Sequence, residues 1–361
     1  MQNRNIGLDI LRIILAFLVI GIHVLAPATG GVNMYVELPI TKVFSIGLTA
    51  ICYPAVNTYV ILSGFFAFAH KKTLYQVSQN LGKLWLCLIF FSLLGLGVGA
   101  LYTQQMPTIT TVVSRLFPIC SGEWWYMTNY CVLMIISPML NKLIEQYPSK
   151  SHLYALCGAL FVCTIIPFFL KYNDALGINI GYGLIWFVIL YCTGAYLYRK
   201  KDDIAKVTTP IKYLIGFIVM VILFLAMNMF LGKFEITKGF GFGAYNSILV
   251  YLEAVLLFCT FYTLNIRSLT LSKYIVYLGG LSLASYIFHC QSDFGPMIWQ
   301  ITQPSKYANS LLLIPVTLAI MLGVFTIATL LEIGRRWIFS KISAERWVIN
   351  TINNFFQKDL L

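Results

Sequence analysis

Long apolar runs alternate along the chain with short polar or charged interruptions. A membrane-spanning helix needs about 20 mostly apolar residues, because the hydrocarbon core is about 30 Å thick and each helical residue rises about 1.5 Å. That criterion predicts ten spans, near 8–26, 43–68, 83–103, 124–144, 152–171, 181–199, 212–231, 243–265, 275–302 and 309–338. The least regular are the fourth, which opens on Trp124, Trp125 and Tyr126, and the ninth, which carries Gln291, Asp293 and Pro296. The first run ends in Ala26-Pro27-Ala28, a small-x-small pattern. It reads as a span rather than a cleaved leader, because Asp9 and Arg12 interrupt it and proline is unfavourable in a cleavage site. The predicted fold class is an all-α integral membrane protein, a bundle of about ten transmembrane helices.

Composition strengthens that reading. Of 361 residues 59% are hydrophobic and 11% charged, whereas soluble domains carry about a quarter charged residues and disordered chains lack the apolar content. The net charge of +12 raises the question of nucleic acid, and the distribution of the charge answers it. Cytoplasmic loops carry the Lys/Arg excess. With the N-terminus inside, 19 of the 25 basic residues fall on the inner side, among them Arg4, Arg12, Lys71, Lys72, Lys83, the 199–212 group and the C-terminal group. The outer six are Lys42, Arg115, Lys171, Lys233, Lys238 and Lys306. The charge is topology: both termini are predicted cytoplasmic, in a multi-pass plasma-membrane protein whose solvent is membrane lipid, and no nucleic-acid partner is implied. Residues 1–340 form the membrane domain and 341–361 a short cytoplasmic tail.

No appended soluble domain is expected, and no inverted repeat of the transporter kind is visible. The longest outer connections are 103–123 and 231–243, the latter with Gly239, Gly241 and Gly243. The polar residues of the first suit an external opening or a tether equally. The nine cysteines, odd in number and without a CxxC pair, read as small buried hydrophobes.

Ionisable groups inside spans are costly and are functional candidates by default. Here they are Asp9, Arg12, His23, Glu253, His289 and Asp293. Arg12 and His23 are 11 positions apart, within about 20° of three full turns, so they share a face and differ in depth by about 16 Å. Asp9 stands one turn before Arg12 and can pair with it. His289 and His23 fall at similar depth, and Glu253 lies near the midplane, so a histidine base with an orienting partner is within reach. Each residue alone also has a structural reading: a histidine bonded to a neighbouring helix, a protonated Glu253 between helices, a His289 anchoring the bend before Pro296, a snorkelling Arg12. No metal site is predicted.

In combination, Leu8-Asp9-Ile10-Leu11-Arg12 followed by His23 resembles the opening signature of membrane acyltransferase family 3. Val60-Ile61-Leu62-Ser63-Gly64-Phe65 is similar to the family's apolar-Ser-Gly-Phe turn at the end of the second helix. Trp124-Trp125-Tyr126 with Ser137-Pro138-Met139-Leu140 resembles the fourth-helix pattern of its capsule and exopolysaccharide members. Leu281-Ser282 with Ser285-Tyr286-Ile287-Phe288-His289 resembles its late Ser-x-x-x-Tyr-x-x-His element. The likeness covers nearly the whole chain. One departure is that many members carry an Arg-x-x-Arg pair after the second helix, where this chain offers Lys71, Lys72 and Lys83, which supply charge without a bidentate fork.

The resemblance implies that residues 1–340 are an acyltransferase domain that moves an acetyl group from cytoplasmic acetyl-CoA to a hydroxyl of a cell-surface, exopolysaccharide or lipid-linked glycan. Arg12, Lys71, Lys72 and Lys83 would face the donor phosphates. His23 would act as general base for direct attack, or as an acyl-histidine relay, with Glu253 or His289 orienting it and no Ser or Cys nucleophile needed. Trp124, Trp125 and Tyr126 would stack on sugar rings, or else form an interfacial belt. Asp9, Ser63 and Gly64 would give support, Ser63 as a turn and packing residue. The competing class is a transporter or flippase of a lipid-linked sugar with Arg12, His23 and Glu253 along its pathway, against which the missing inverted repeat and the ordered motifs argue. A third is a sensor that keeps the acyltransferase shape without activity.

Overall fold

The computed structural model describes residues 4–169, 176–231, 244–266 and 269–358, and among these the regular structure is entirely helical. The first helix, α1 (Ile6–Leu25), starts where Asn5 caps it: the Asn5 side-chain oxygen accepts the Leu8 N–H, and its amide donates to the Tyr262 carbonyl. After a single turn, α2 (Val32–Tyr35), the second predicted span is made of two helices, α3 (Pro39–Cys52) and α4 (Pro54–Ala69). Pro39 and Pro54 occupy first helical positions, where the missing N–H costs nothing. α5 (Leu74–Thr103) begins nine residues before the predicted boundary, because a Thr73/Gln76 capping box starts a helix that its polar first turns do not break.

The 103–123 connection is more than a tether, since it contains α6 (Ile109–Leu116). There follow α7 (Trp125–Gln146), α8 (Ser149–Leu160) continuing through a π-turn into α9 (Ile166–Phe169), α10 (Leu184–Arg199), the short α11 (Lys201–Val207), α12 (Pro210–Leu231) and α13 (Ile248–Tyr262). The ninth predicted span is broken into α14 (Leu269–Gly279), α15 (Leu283–His289) and α16 (Phe294–Thr302), and the chain ends in α17 (Leu313–Lys341) and α18 (Ala344–Lys358). Among the described residues seven helical stretches are long and apolar enough to cross a membrane, and three shorter apolar helices occupy the remaining predicted spans. The Gly-rich 232–243 segment, Lys171, Lys233, Lys238 and Arg267 lie outside the described residues.

α1 is the axis of the bundle, packed against α3, α4, α13, α14, α15 and α17, whereas only 11% of the α12 span is buried by protein. The start of α1 and the end of α17 lie at one end: Arg336 donates to the Gly280 carbonyl, and Gly279 packs against the Asp9 backbone. We call this the terminal end. α18, in the predicted tail, braces it, with Val348 and Ile352 seated on Gly82 and Asn353 accepting from Tyr75 and Gln79.

Ser63 and Gly64 lie within α4 rather than in a turn, because the Ser63 hydroxyl donates back to the Tyr59 carbonyl and leaves the helix intact. Gly64 has a packing role: a Cβ there would sit 2.2 Å from the Tyr191 carbonyl oxygen, and one on Gly194 2.1 Å from that of Ile61. α4 and α10 thus touch backbone to backbone, the small-residue contact that brings membrane helices together. All nine cysteines are free; Cys120 and Cys157 are exposed, contrary to the reading of all nine as buried.

Candidate active site

At the terminal end the buried Asp9 holds two guanidinium groups. Arg4 binds it through Nε at 2.6 Å and Nη2 at 2.7 Å, and Arg12 through Nη1 at 2.9 Å. Those hydrogen bonds raise the Arg4 guanidinium above its ordinary value. Arg12 is further fixed by the Phe66 ring, 4.7 Å below its Cζ, and the Tyr59 hydroxyl donates to its carbonyl. The pairing expected from the Asp9–Arg12 spacing is present.

Arg12 lines a cavity of about 480 Å3, within the range that small-molecule ligands occupy. Its polar mouth at the terminal end carries His70, Lys72 and Asn80. Its walls are Leu62, Phe66, Val77, Leu81, Leu84 and Met134, and it reaches Tyr126 and Met127 in the first turn of α7. On α4 the lining runs from His70 to Tyr59, so the cavity extends about 16 Å inward from the terminal end. Lys71 stands beside the mouth but is paired with Glu145, and Lys83 is not among the lining residues. The sequence reading missed His70, Tyr59 and Tyr130 as lining groups, because nothing in their spacing marks a shared face across α4 and α7.

Beyond the deep end, Tyr126 meets Tyr286 at 5.6 Å between ring centroids, and Tyr286 meets His289 at 6.2 Å. The Tyr286 hydroxyl is buried without a hydrogen-bond partner among the described residues. His289, the last residue of α15, turns its Nε2 to within 3.2 Å of His23 Nδ1 on the last turn of α1. The His289 Nδ1–H donates to the Ser285 carbonyl and the His23 Nδ1–H to the Val19 carbonyl at 2.8 Å. These carbonyls fix both tautomers, so in each ring Nε2 carries the lone pair, that of His289 facing His23 Nδ1 and that of His23 facing Cys290. Cys290 Sγ lies 3.5 Å from His23 Nε2. The three residues offer ligand atoms within 4.8 Å of one another, a cluster across two helices that reading each helix by itself did not reveal.

Glu253 is not part of it. Its carboxylate is fully buried, and neither oxygen has a hydrogen-bond partner among the described residues. Equal depth on two helices says nothing about rotation around their axes, which is where that expectation fails. Trp124 is also corrected: it is 1% exposed and its Nε1–H donates to the Ile287 carbonyl at 3.0 Å, so its ring positions α15 rather than meeting a sugar. Trp125 packs with Tyr182 and Tyr245, and Tyr126 belongs to the cavity wall.

On the side of the histidines away from the terminal end, Arg115 of α6 pairs with Glu123 and, at 2.8 Å, with Asp293. Gln291 donates to both carboxylates, and its Oε1 accepts the N–H groups of Asp293 and Phe294, starting α16. Ser92 closes the network on Glu123. In sequence Arg115 reads as an outer charge; its partner Asp293 is 178 residues away, beyond any local pattern.

Residues 5–333 match the family model described as an acyltransferase domain. No curated protein and no solved structure matches the chain.

Proposed function

The chain belongs to acyltransferase family 3 and is a multi-pass membrane acyltransferase, and from that premise we propose that it carries an acetyl group from acetyl-CoA on the cytoplasmic side to a hydroxyl of a cell-envelope glycan or lipid-linked saccharide on the other. The positive-inside distribution of Lys and Arg supports a cytoplasmic terminal end. The observation that carries the reading is one passage with a basic mouth at Arg12 and Lys72 and, beyond its deep end, a histidine pair. The nucleotide phosphates lie at the mouth, Arg12 supplying a fork held by Asp9 and Lys72 a point charge. The pantetheine arm follows the apolar wall toward Tyr286, whose unpartnered hydroxyl is free to donate to the thioester carbonyl.

His23 is the general base. Its Nε2 accepts the proton of the acceptor hydroxyl, the oxygen attacks the thioester carbon, and the departing thiolate takes the proton back. As His23 becomes cationic, its Nδ1–H is already directed at the Val19 carbonyl and faces His289 Nε2, which stabilise the imidazolium. His289 is thus the orienting partner, and Glu253 has no step.

Membranes carrying wild type or His23→Ala, given radiolabelled acetyl-CoA, test this. Wild type is expected to label envelope glycan, and the variant to do so roughly 100-fold or more slowly. Equal incorporation by both removes His23 as base. No incorporation by either, with movement of a lipid-linked sugar, favours a flippase.

A further inference from the structure

We propose that Cys290 receives the acyl group first, so that transfer proceeds through a covalent thioester on the protein. The inference rests on the acyltransferase reading above and adds a nucleophile to it. A nucleophile held by a base, with the base held by a third group, is the arrangement that activates a thiol. Here the thiol is Cys290, with Sγ 3.5 Å from His23 Nε2. The base is His23, and its other nitrogen is held by the Val19 carbonyl at 2.8 Å and faces His289 Nε2 at 3.2 Å. Of the nine cysteines, all of them described, Cys290 alone has an imidazole as hydrogen-bond partner among the described residues.

The position of Cys290 suits a relay. It is the residue directly after α15, in the break before α16, and is half-buried where His289 is closed off. Its backbone N–H donates to the carbonyl of Tyr286, the residue that separates the donor cavity from the histidines. Donor and acceptor approach from opposite ends of the bundle, and a carrier between them lets each be handled in turn.

The chemistry balances in two steps. His23 Nε2 takes the Cys290 proton, Sγ bonds to the donor carbonyl carbon, the bond from that carbon to the donor sulfur breaks, and the departing thiolate receives the proton from His23. The products are acyl-Cys290 and free coenzyme A. His23 then takes the proton of the acceptor hydroxyl, the oxygen bonds to the acyl carbon, and Cys290 leaves as thiolate and recovers its proton. Thioester exchanges for thioester and then for ester, with no oxidant, reductant or further co-reactant.

Full-length protein in lipid nanodiscs, given radiolabelled acetyl-CoA without acceptor, is expected to hold a label that neutral hydroxylamine removes and that mass spectrometry places on Cys290. Cys290→Ala is expected to lose the label and to slow glycan acetylation roughly 100-fold, whereas Cys120→Ala changes neither. The wild-type label is read without any variant, so a folding defect in Cys290→Ala cannot mimic it. Glycan acetylation by Cys290→Ala at the wild-type rate overturns the relay and leaves the acyltransferase reading standing, as does a label on another residue. A wild type that acetylates glycan but holds no label under the same conditions also overturns it. A wild type that shows neither label nor glycan acetylation overturns both.

Discussion

Asp9→Asn tests how the mouth of the cavity is built. Asp9 accepts three hydrogen bonds from two guanidinium groups, at 2.6 and 2.7 Å from Arg4 and 2.9 Å from Arg12. An asparagine keeps the shape but loses the charge and turns an NH2 toward one of the cations. A hydrogen bond between charged groups contributes about 1.5–3 kcal/mol when buried. The Arg12 side chain is 30% exposed, and solvent screening lowers its share to about 1 kcal/mol, which is about fivefold in donor affinity. The expected result is a rise of that order in KM for acetyl-CoA with kcat nearly unchanged, since His23 lies about 16 Å further along α1. On the proposed donor site Arg12 itself meets the phosphates, so Arg12→Ala is expected to raise KM by about tenfold or more. Because Asp9 acts through Arg12, the double variant is expected to match Arg12→Ala alone. Initial rates over a range of acetyl-CoA concentrations in membranes measure all four corners of the cycle. Multiplying effects, or a kcat that falls while KM stays constant, would refute the argument.

Two further outcomes follow. Gly64→Val puts a side chain where a Cβ already stands 2.2 Å from the Tyr191 carbonyl oxygen; α4 and α10 must separate, at a cost of about 1–3 kcal/mol, and a thermal midpoint equal to wild type in detergent contradicts the close contact. Cys120 is exposed at the end opposite the termini, so a membrane-impermeant maleimide added to intact cells is expected to label it and to fail on Cys120→Ala, fixing the orientation of the bundle.

Much of this molecule is legible in its sequence because membrane spans are long, one-dimensional signals. Each of the ten predicted runs contains helix, and the face shared by Arg12 and His23 follows from helical period alone. The meeting of His23 with His289 was foreshadowed by depth, since rise per residue fixes height in the bilayer. Rotation was not available, and the Glu253 carboxylate has no hydrogen bond to either histidine among the described residues. The same ignorance of rotation hid Cys290, which a reading of separate helices classed with the other buried thiols. The break after His289 was flagged only by Gln291, Asp293 and Pro296, and its cause lies in partners on α6 and in the connection that follows it. Trp124 was misplaced because a tryptophan at a helix start suits an interfacial belt as well as a buried N–H donor.

The nine residues of α16 span only about 14 Å, less than half of the hydrocarbon core. That shortness bears on the order in which the protein is assembled. A segment this short, preceded by Gln291 and Asp293, cannot be inserted by its own hydrophobicity, and its backbone and carboxylate must find partners already in place. The chain is made from its N-terminus, so Arg115 and Glu123 have left the ribosome long before Asp293 appears. The α5–α6–α7 region therefore precedes α16 in synthesis, and the Arg115–Asp293 ion pair joins the two. Damage to Arg115 would then be seen first by quality control, as a shortened protein lifetime, before any substrate is met.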